Sequence, residues 1–204
     1  MIDWTAIRTV FFDMDGTLLD LHYDNYFWNE FLPEEYARLH SLDVEKSKTQ
    51  LSKLFMSRYG ELAFYCVDHW SEQLGMDVMP HKLAARERIK FLPYATQLLS
   101  SLAESSHDMA IVTNAHGKTY TLKNDIVKLD QYFERIHISH DYGIAKEDER
   151  FWHALQQNHA FDPQSTLLID DNINVLLSAK RYGIKHLALP LQPDSQRPAI
   201  SIDS

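Results

Sequence analysis

A single cysteine, Cys66, stands among the 204 residues. One thiol cannot form an internal disulfide or a multi-cysteine zinc site. Set in the apolar-rich stretch 62–70, it is expected to be a buried, inert thiol. No apolar run approaches the length that spans a bilayer, and the first residues lack a basic segment followed by an apolar one. A soluble, cytoplasmic protein is expected. Positive charge is also scarce, with 20 Lys and Arg against 29 Asp and Glu, a formal net charge of −9. Such a surface does not suit a nucleic-acid polymer or a membrane, and it does not steer anions from afar, so phosphate recognition must be local. The 11 histidines are scattered, and no pair has the spacing of an HExxH metal site. They are expected at the surface or as helix caps.

What is present is more telling. The run Val10-Phe11-Phe12-Asp13-Met14-Asp15-Gly16-Thr17 is an apolar strand that stops on two carboxylates, a glycine and a hydroxyl. A buried strand ending this way puts Asp13 and Asp15 at the carboxyl edge of a sheet, where α/β folds bind ligands. Residues two apart share a face, so both carboxylates approach one centre, which is costly unless a cation sits between them.

Further strands are expected at 109–112, 135–139, 166–169 and 185–189, with helices at 94–104, 118–128, 148–158 and 172–182 between them. Gly183 reads as the stop of the last helix, and the tail from Pro190 reads as loose. Strand–helix alternation implies a doubly wound parallel α/β sheet. The gap between the first two strands is far longer than one crossover helix needs. It is rich in Leu, Phe, Tyr and Trp, and reads as an inserted helical unit. The expected division is a core of residues 1–19 and 91–204 and a helical insertion of residues 20–90.

Four strand ends then carry polar residues: Asp13 with Asp15, Thr113 with Asn114, Lys146 after the third strand, and Asp170 with Asp171. Each alone has a plain structural reading. An Asp-Gly is usually a turn, Asp170-Asp171-Asn172 can cap a helix, and a lone lysine is usually solvated. Together they supply what phosphoryl transfer to an aspartate requires. One carboxylate attacks, a second serves as acid and base, others hold a hard cation, and a hydroxyl and an ammonium hold phosphate oxygens.

These segments resemble the four motifs of the haloacid dehalogenase-like hydrolase superfamily, and the likeness runs from Arg8 to about Leu189. The resemblance implies that Asp13 becomes an aspartyl phosphate and that Asp15 protonates the leaving oxygen and then activates water. It implies that Thr113, Asn114 and Lys146 bind phosphate. It also implies a Mg²⁺ ion held by Asp13, Asp171 directly, Asp170 through water, and the backbone carbonyl of Asp15. The insertion resembles the family's C1-type helical cap. Asp15 argues against the dehalogenase and phosphonatase branches, which replace it. The chain is too short for the ion-pump branch, and the order of its motifs is wrong for a receiver domain. Segments 19–28, 65–75 and 146–153 resemble a narrower group of bacterial GMP/IMP 5′-nucleotidases, including Glu147 where the superfamily usually has proline. That likeness implies a purine nucleotide as the small phosphorylated partner, with Asn25 and Tyr65 as substrate-binding residues. The aromatics Tyr26, Phe27, Trp28, Tyr65 and Trp70 can stack on a base or simply form core. Competing readings are a phosphatase for sugar or other small organic phosphates, a phosphomutase, and a non-enzymatic binding protein.

Overall fold

The computed structural model describes residues 2–201. Among these, five strands form one sheet: β1 (Thr9–Phe12), β2 (Asp108–Thr113), β3 (Arg135–Ile138), β4 (Thr166–Ile169) and β5 (His186–Ala188). Their order is β3-β2-β1-β4-β5 and every pairing is parallel. β1 is central and buried throughout, as its unbroken apolar run demands of a parallel strand covered on both faces. Val10 and Phe12 enter one core with Ile111 and Leu99. Phe11 points the other way, into a second core with Phe151, Trp152 and Val175.

The stretch between β1 and β2 is helical. It holds α1 (His22–Tyr26), a π-helical turn at Phe27–Phe31, α2 (Leu32–His40), α3 (Val44–Met56), α4 (Val67–Leu74), α5 (Val78–Ala84) and α6 (Ala95–Ala103). The chain leaves and re-enters at neighbouring points, since Asp20 N donates to Lys90 O at 2.9 Å and Leu92 N to Leu18 O at 2.8 Å. α7 (Gly117–Val127), α8 (Ser139–Tyr142), α9 (Glu149–Asn158) and α10 (Ile173–Tyr182) complete the molecule. Among the described residues no helix is long and apolar enough to cross a membrane.

The expected elements are found with small shifts of boundary. α6 begins at Ala95 because Tyr94 adopts a left-handed backbone (φ 67°). β3 ends at Ile138, and Ser139 opens α8. Gly183 (φ 117°) stops α10 as expected. The tail is not loose where it passes the insertion. Pro193 O accepts from Leu21 N at 2.9 Å, and Ser195 donates to Asp20 through both N and Oγ. Buried Asp194 accepts from Asn25. Polar residues that read as solvated instead satisfy a buried carboxylate and amide. Cys66 is half-buried rather than buried, and its Sγ accepts from His69 N to cap α4. Of the histidines, His116 caps α7, whereas His159 is buried.

Candidate active site

Because β1 lies between β2 and β4, the ends of these three strands meet at one edge. Phe12 pairs with both Ile111 and Ile169, and Asp13 N donates to Ile169 O at 2.9 Å. Asp13, Thr113 and Asp170 are all buried there. The loop that follows α8 brings Lys146 beneath them. Its Nζ donates to Asp13 Oδ1 at 2.6 Å, Asp170 Oδ2 at 2.7 Å and Val112 O at 2.9 Å. All three ammonium donors are used.

Burial and the Asp170 charge push the Asp13 carboxyl up to about 6, against the pull of Lys146. Lys146 itself is raised, since Asp13 and Asp170 outweigh its desolvation. Asp171 is pushed well above the ordinary carboxylate range by burial and by the charges of Asp13 and Asp170. It has no ion pair or side-chain hydrogen bond among the described residues.

Oxygens of Asp13, Asp170 and Asp171 lie within 4.8 Å of one another. Three carboxylates served by one ammonium leave a deficit of positive charge, which suits a hard cation with oxygen ligands. Gly16 makes the cluster possible. A Cβ there would stand 2.3 Å from Asp171 Oδ2, and the residue has φ +77°.

Asp15 belongs to a second buried ion cluster. Lys123 of α7 donates to Asp15 Oδ1 at 2.5 Å and to Asp24 Oδ2 at 2.6 Å, and Lys82 of α5 donates to Asp24 Oδ1 at 3.0 Å. Burial, with the charges of Asp24 and Asp13, lifts the Asp15 carboxyl to about 6 against Lys123. Burial also opposes ionisation of Asp24, but Lys123 and Lys82 overcome it and hold that group at about 2.

The structure thus brings Asp13, Asp15, Thr113, Asn114, Lys146, Asp170 and Asp171 to one cavity of about 740 Å³. Thr113 Oγ1 accepts from Ala115 N at 3.0 Å, leaving its hydroxyl proton to donate. Asn114 lines the cavity as well. Its carbonyl accepts from Lys146 N at 3.0 Å and its amide donates to Glu147 Oε2 at 2.9 Å, so its side chain positions its neighbours.

Asn25 and Tyr65 also line the cavity, and each is hydrogen-bonded within the protein. Asn25 Nδ2 donates to Asp194 Oδ2 at 2.8 Å, and Tyr65 Oη donates to Glu147 Oε1 at 2.5 Å. Of the aromatics, Trp28, Tyr65 and Trp70 line the cavity. Phe27 is core, and Tyr26 stacks against Arg88. Asn172 caps α10 while Asp170 accepts from Asn172 N, so this acidic segment serves the helix and the site together.

Lys123, Lys82, Asp24 and Glu147 were not among the expected site residues. Lys82 carried a signal: it follows the apolar Val78 by four residues and so shares the inner face of α5.

A model of the haloacid dehalogenase-like hydrolases matches residues 10–189. The chain belongs to this family. It is 32% identical over 194 residues to the GMP/IMP nucleotidase YrfG of Escherichia coli, covering 95% of this chain and 87% of that one. A HAD phosphatase from Thermococcus onnurineus superposes with a TM-score of 0.78 at 16% identity, over 92% of this chain and 88% of that one. The HAD family enzyme bt-2542 of Bacteroides thetaiotaomicron, solved in complex with magnesium and inorganic phosphate, has a TM-score of 0.63 at 21% identity. The match covers 90% of this chain and 93% of that one. Family and fold identify the protein as a HAD-like hydrolase with a five-stranded parallel α/β core.

Proposed function

We propose that this HAD-like hydrolase is a Mg²⁺-dependent phosphomonoesterase that works through a phosphoaspartate on Asp13. Its substrates are purine nucleoside 5′-monophosphates of the GMP and IMP type, met in the cytoplasm. One observation carries the chemistry. Asp13 and Asp15 leave the same strand end, each paired with its own buried lysine and each lifted to about 6. A group that titrates near neutrality can give a proton and take one back. The nucleotide reading is supported by the likeness to a GMP/IMP nucleotidase over 95% of the chain.

In this reading an Asp13 oxygen attacks phosphorus and the bond to the ester oxygen breaks. Asp15 gives its proton to that oxygen. The resulting Asp15 carboxylate takes a proton from water as the water attacks phosphorus, freeing Asp13 and inorganic phosphate. Lys146 favours ionised Asp13, and the Thr113 hydroxyl donates to a phosphate oxygen. Asp13, Asp171 and the Asp15 carbonyl would hold Mg²⁺. Asp170, whose oxygens already accept from Lys146 and Asn172 N, suits contact through water. Bound there, Mg²⁺ would offset the negative charge of the phosphoryl group.

Residues 20–90 act as the cap, with 1–19 and 91–204 as the catalytic core. Asp24, Tyr65 and Lys82 of the cap line the cavity, and a closed cap keeps bulk water from the phosphoaspartate. Phosphate release from GMP, IMP, AMP, UMP and a sugar phosphate, with Mg²⁺ and with excess EDTA, tests the reading. A sugar phosphate ahead of all nucleotides would remove the nucleotidase assignment. Full activity in EDTA would remove the metal.

A further inference from the structure

One charged side chain in the cavity is not used by the chemistry. Lys82 lines the cavity wall with its side chain only 1% exposed. An ammonium has three donors. Lys82 Nζ gives one to Asp24 Oδ1 at 3.0 Å, and it has no second hydrogen bond among the described residues. Its other neighbours are rings: Phe27, Tyr23 and Trp28, with centroids at 4.3, 4.9 and 5.0 Å. Ring faces attract a cation, but they do not replace oxygen acceptors. Lys146 uses three donors on oxygen and Lys123 two, so Lys82 is the least satisfied of these buried lysines. Its cluster is already balanced in charge, with Lys82 and Lys123 against Asp15 and Asp24. What it lacks is therefore a neutral acceptor rather than another anion.

We infer that Lys82 reads the substrate base, giving its two free N–H groups to the 6-carbonyl and N7 of guanine or hypoxanthine. The inference rests on the nucleotide reading above. A lysine donating to O6 and N7 is a recurrent way to single out guanine, because adenine presents an amino donor where guanine presents the carbonyl. Links of 2.5, 2.6 and 3.0 Å through Lys123 and Asp24 separate Asp15 from Lys82. Asp15 and Lys82 line the same cavity, so a substrate whose ester oxygen meets Asp15 can bring its base to Lys82 there. Trp28 borders both Lys82 and the cavity and offers a flat face beside the base.

The test is the ratio of kcat/KM for GMP to that for AMP, and for IMP to AMP, in the wild type and in Lys82→Met. A ratio taken on one sample does not depend on its folded fraction. The wild type should favour GMP and IMP, and Lys82→Met should lower both ratios by about ten- to hundredfold. Unchanged ratios in the variant, with the wild type selective, would overturn the role of Lys82 and leave the nucleotidase reading intact. A wild type that treats GMP, IMP and AMP alike would overturn both. If Lys82→Met yields no folded protein, substrate analogues on the wild type decide. 2-Aminopurine riboside 5′-monophosphate lacks the 6-carbonyl, and 7-deaza-GMP lacks N7. Losses with both support the contact, and GMP-like turnover of both refutes it.

Discussion

Replacing Lys123 by methionine should separate the two half-reactions. The Lys123 ammonium lies between Asp15 Oδ1 and Asp24 Oδ2, with its side chain 1% exposed. Methionine keeps most of the stem and removes the charge, and two responses then compete. Asp15 can stay ionised, which costs about 3–5 kcal/mol for a buried charge stripped of its partner. Alternatively it can take up a proton. Burial has already lifted its pKa to about 6 in the intact protein, so at pH 7 that protonation costs only about 1.4 kcal/mol. Protonation wins, and without Lys123 the Asp15 pKa moves further upward. Protonated Asp15 still serves the leaving oxygen, but with its pKa raised it regains a proton from solvent once the leaving group has gone, and is then only rarely the carboxylate that takes a proton from water. Stopped-flow measurement with p-nitrophenyl phosphate at pH 7 should show a burst of nitrophenol close to the enzyme concentration. A steady state should follow, slowed by up to about 10²–10⁴-fold, the usual worth of a general base. The base acts above its pKa, so the acid limb of kcat should shift to higher pH and activity should recover as pH rises. A folded variant with wild-type turnover and an unmoved limb would refute the reasoning, as would one that lost burst and steady state together.

Asp13→Asn should abolish turnover while leaving the circular dichroism and melting of the protein near wild type, since the amide keeps the shape of the strand end; phosphate release at the wild-type rate would count against it. Lys146→Met leaves Asp13, Asp170 and Asp171 without their ammonium; Asp13, already lifted to about 6, can take up a proton, so the loss of stability at pH 7 should be at least about 1.4 kcal/mol. Mg²⁺ should raise the Tm of this variant more than that of the wild type, and equal shifts would speak against a shared cation site. Gly16→Ala drives a Cβ into Asp171 and should weaken Mg²⁺ binding by calorimetry; unchanged affinity would contradict the close approach. Burial holds His137 and His140 down at about 4. The unfolded chain takes up these protons from about 6.5 downward, so these two histidines destabilise the fold as pH drops towards 4, while Asp13 and Asp15, raised to about 6, act in the opposite sense. Between pH 7 and 5 the urea midpoint of His140→Gln should therefore shift relative to that of the wild type in the stabilising direction; an identical pH slope in that variant would contradict the assignment.

Much of the architecture was legible because its signals are local. Val10-Phe11-Phe12 can only be a strand buried on both faces, and alternation with helices of suitable length dictates a parallel sheet. Asp13, Thr113 and Asp170 could be brought together on paper because each ends such a strand. What escaped was fixed by contacts distant in sequence. Lys123 reads as one polar residue in a helix of weak amphipathicity, and only the folded chain sets it between Asp15 and Asp24. The tie of Asn25 to Asp194, 169 positions away, left no mark in the local sequence. Pro, Ser and Asp in the tail suggested looseness, because composition cannot register that Asp20 needs the donors of Ser195.

The most direct measurement is acid quench of a single turnover with GMP and Mg²⁺, followed by peptide mass spectrometry. The quench is best made in Lys123→Met, where the slowed second step lets the intermediate accumulate. The expected result is one phosphate on the peptide that carries Asp13, located by borohydride conversion of that residue to homoserine and absent from Asp13→Asn. Release of inorganic phosphate with no adduct at any quench time, or an adduct mapped to another residue, would contradict covalent catalysis by Asp13.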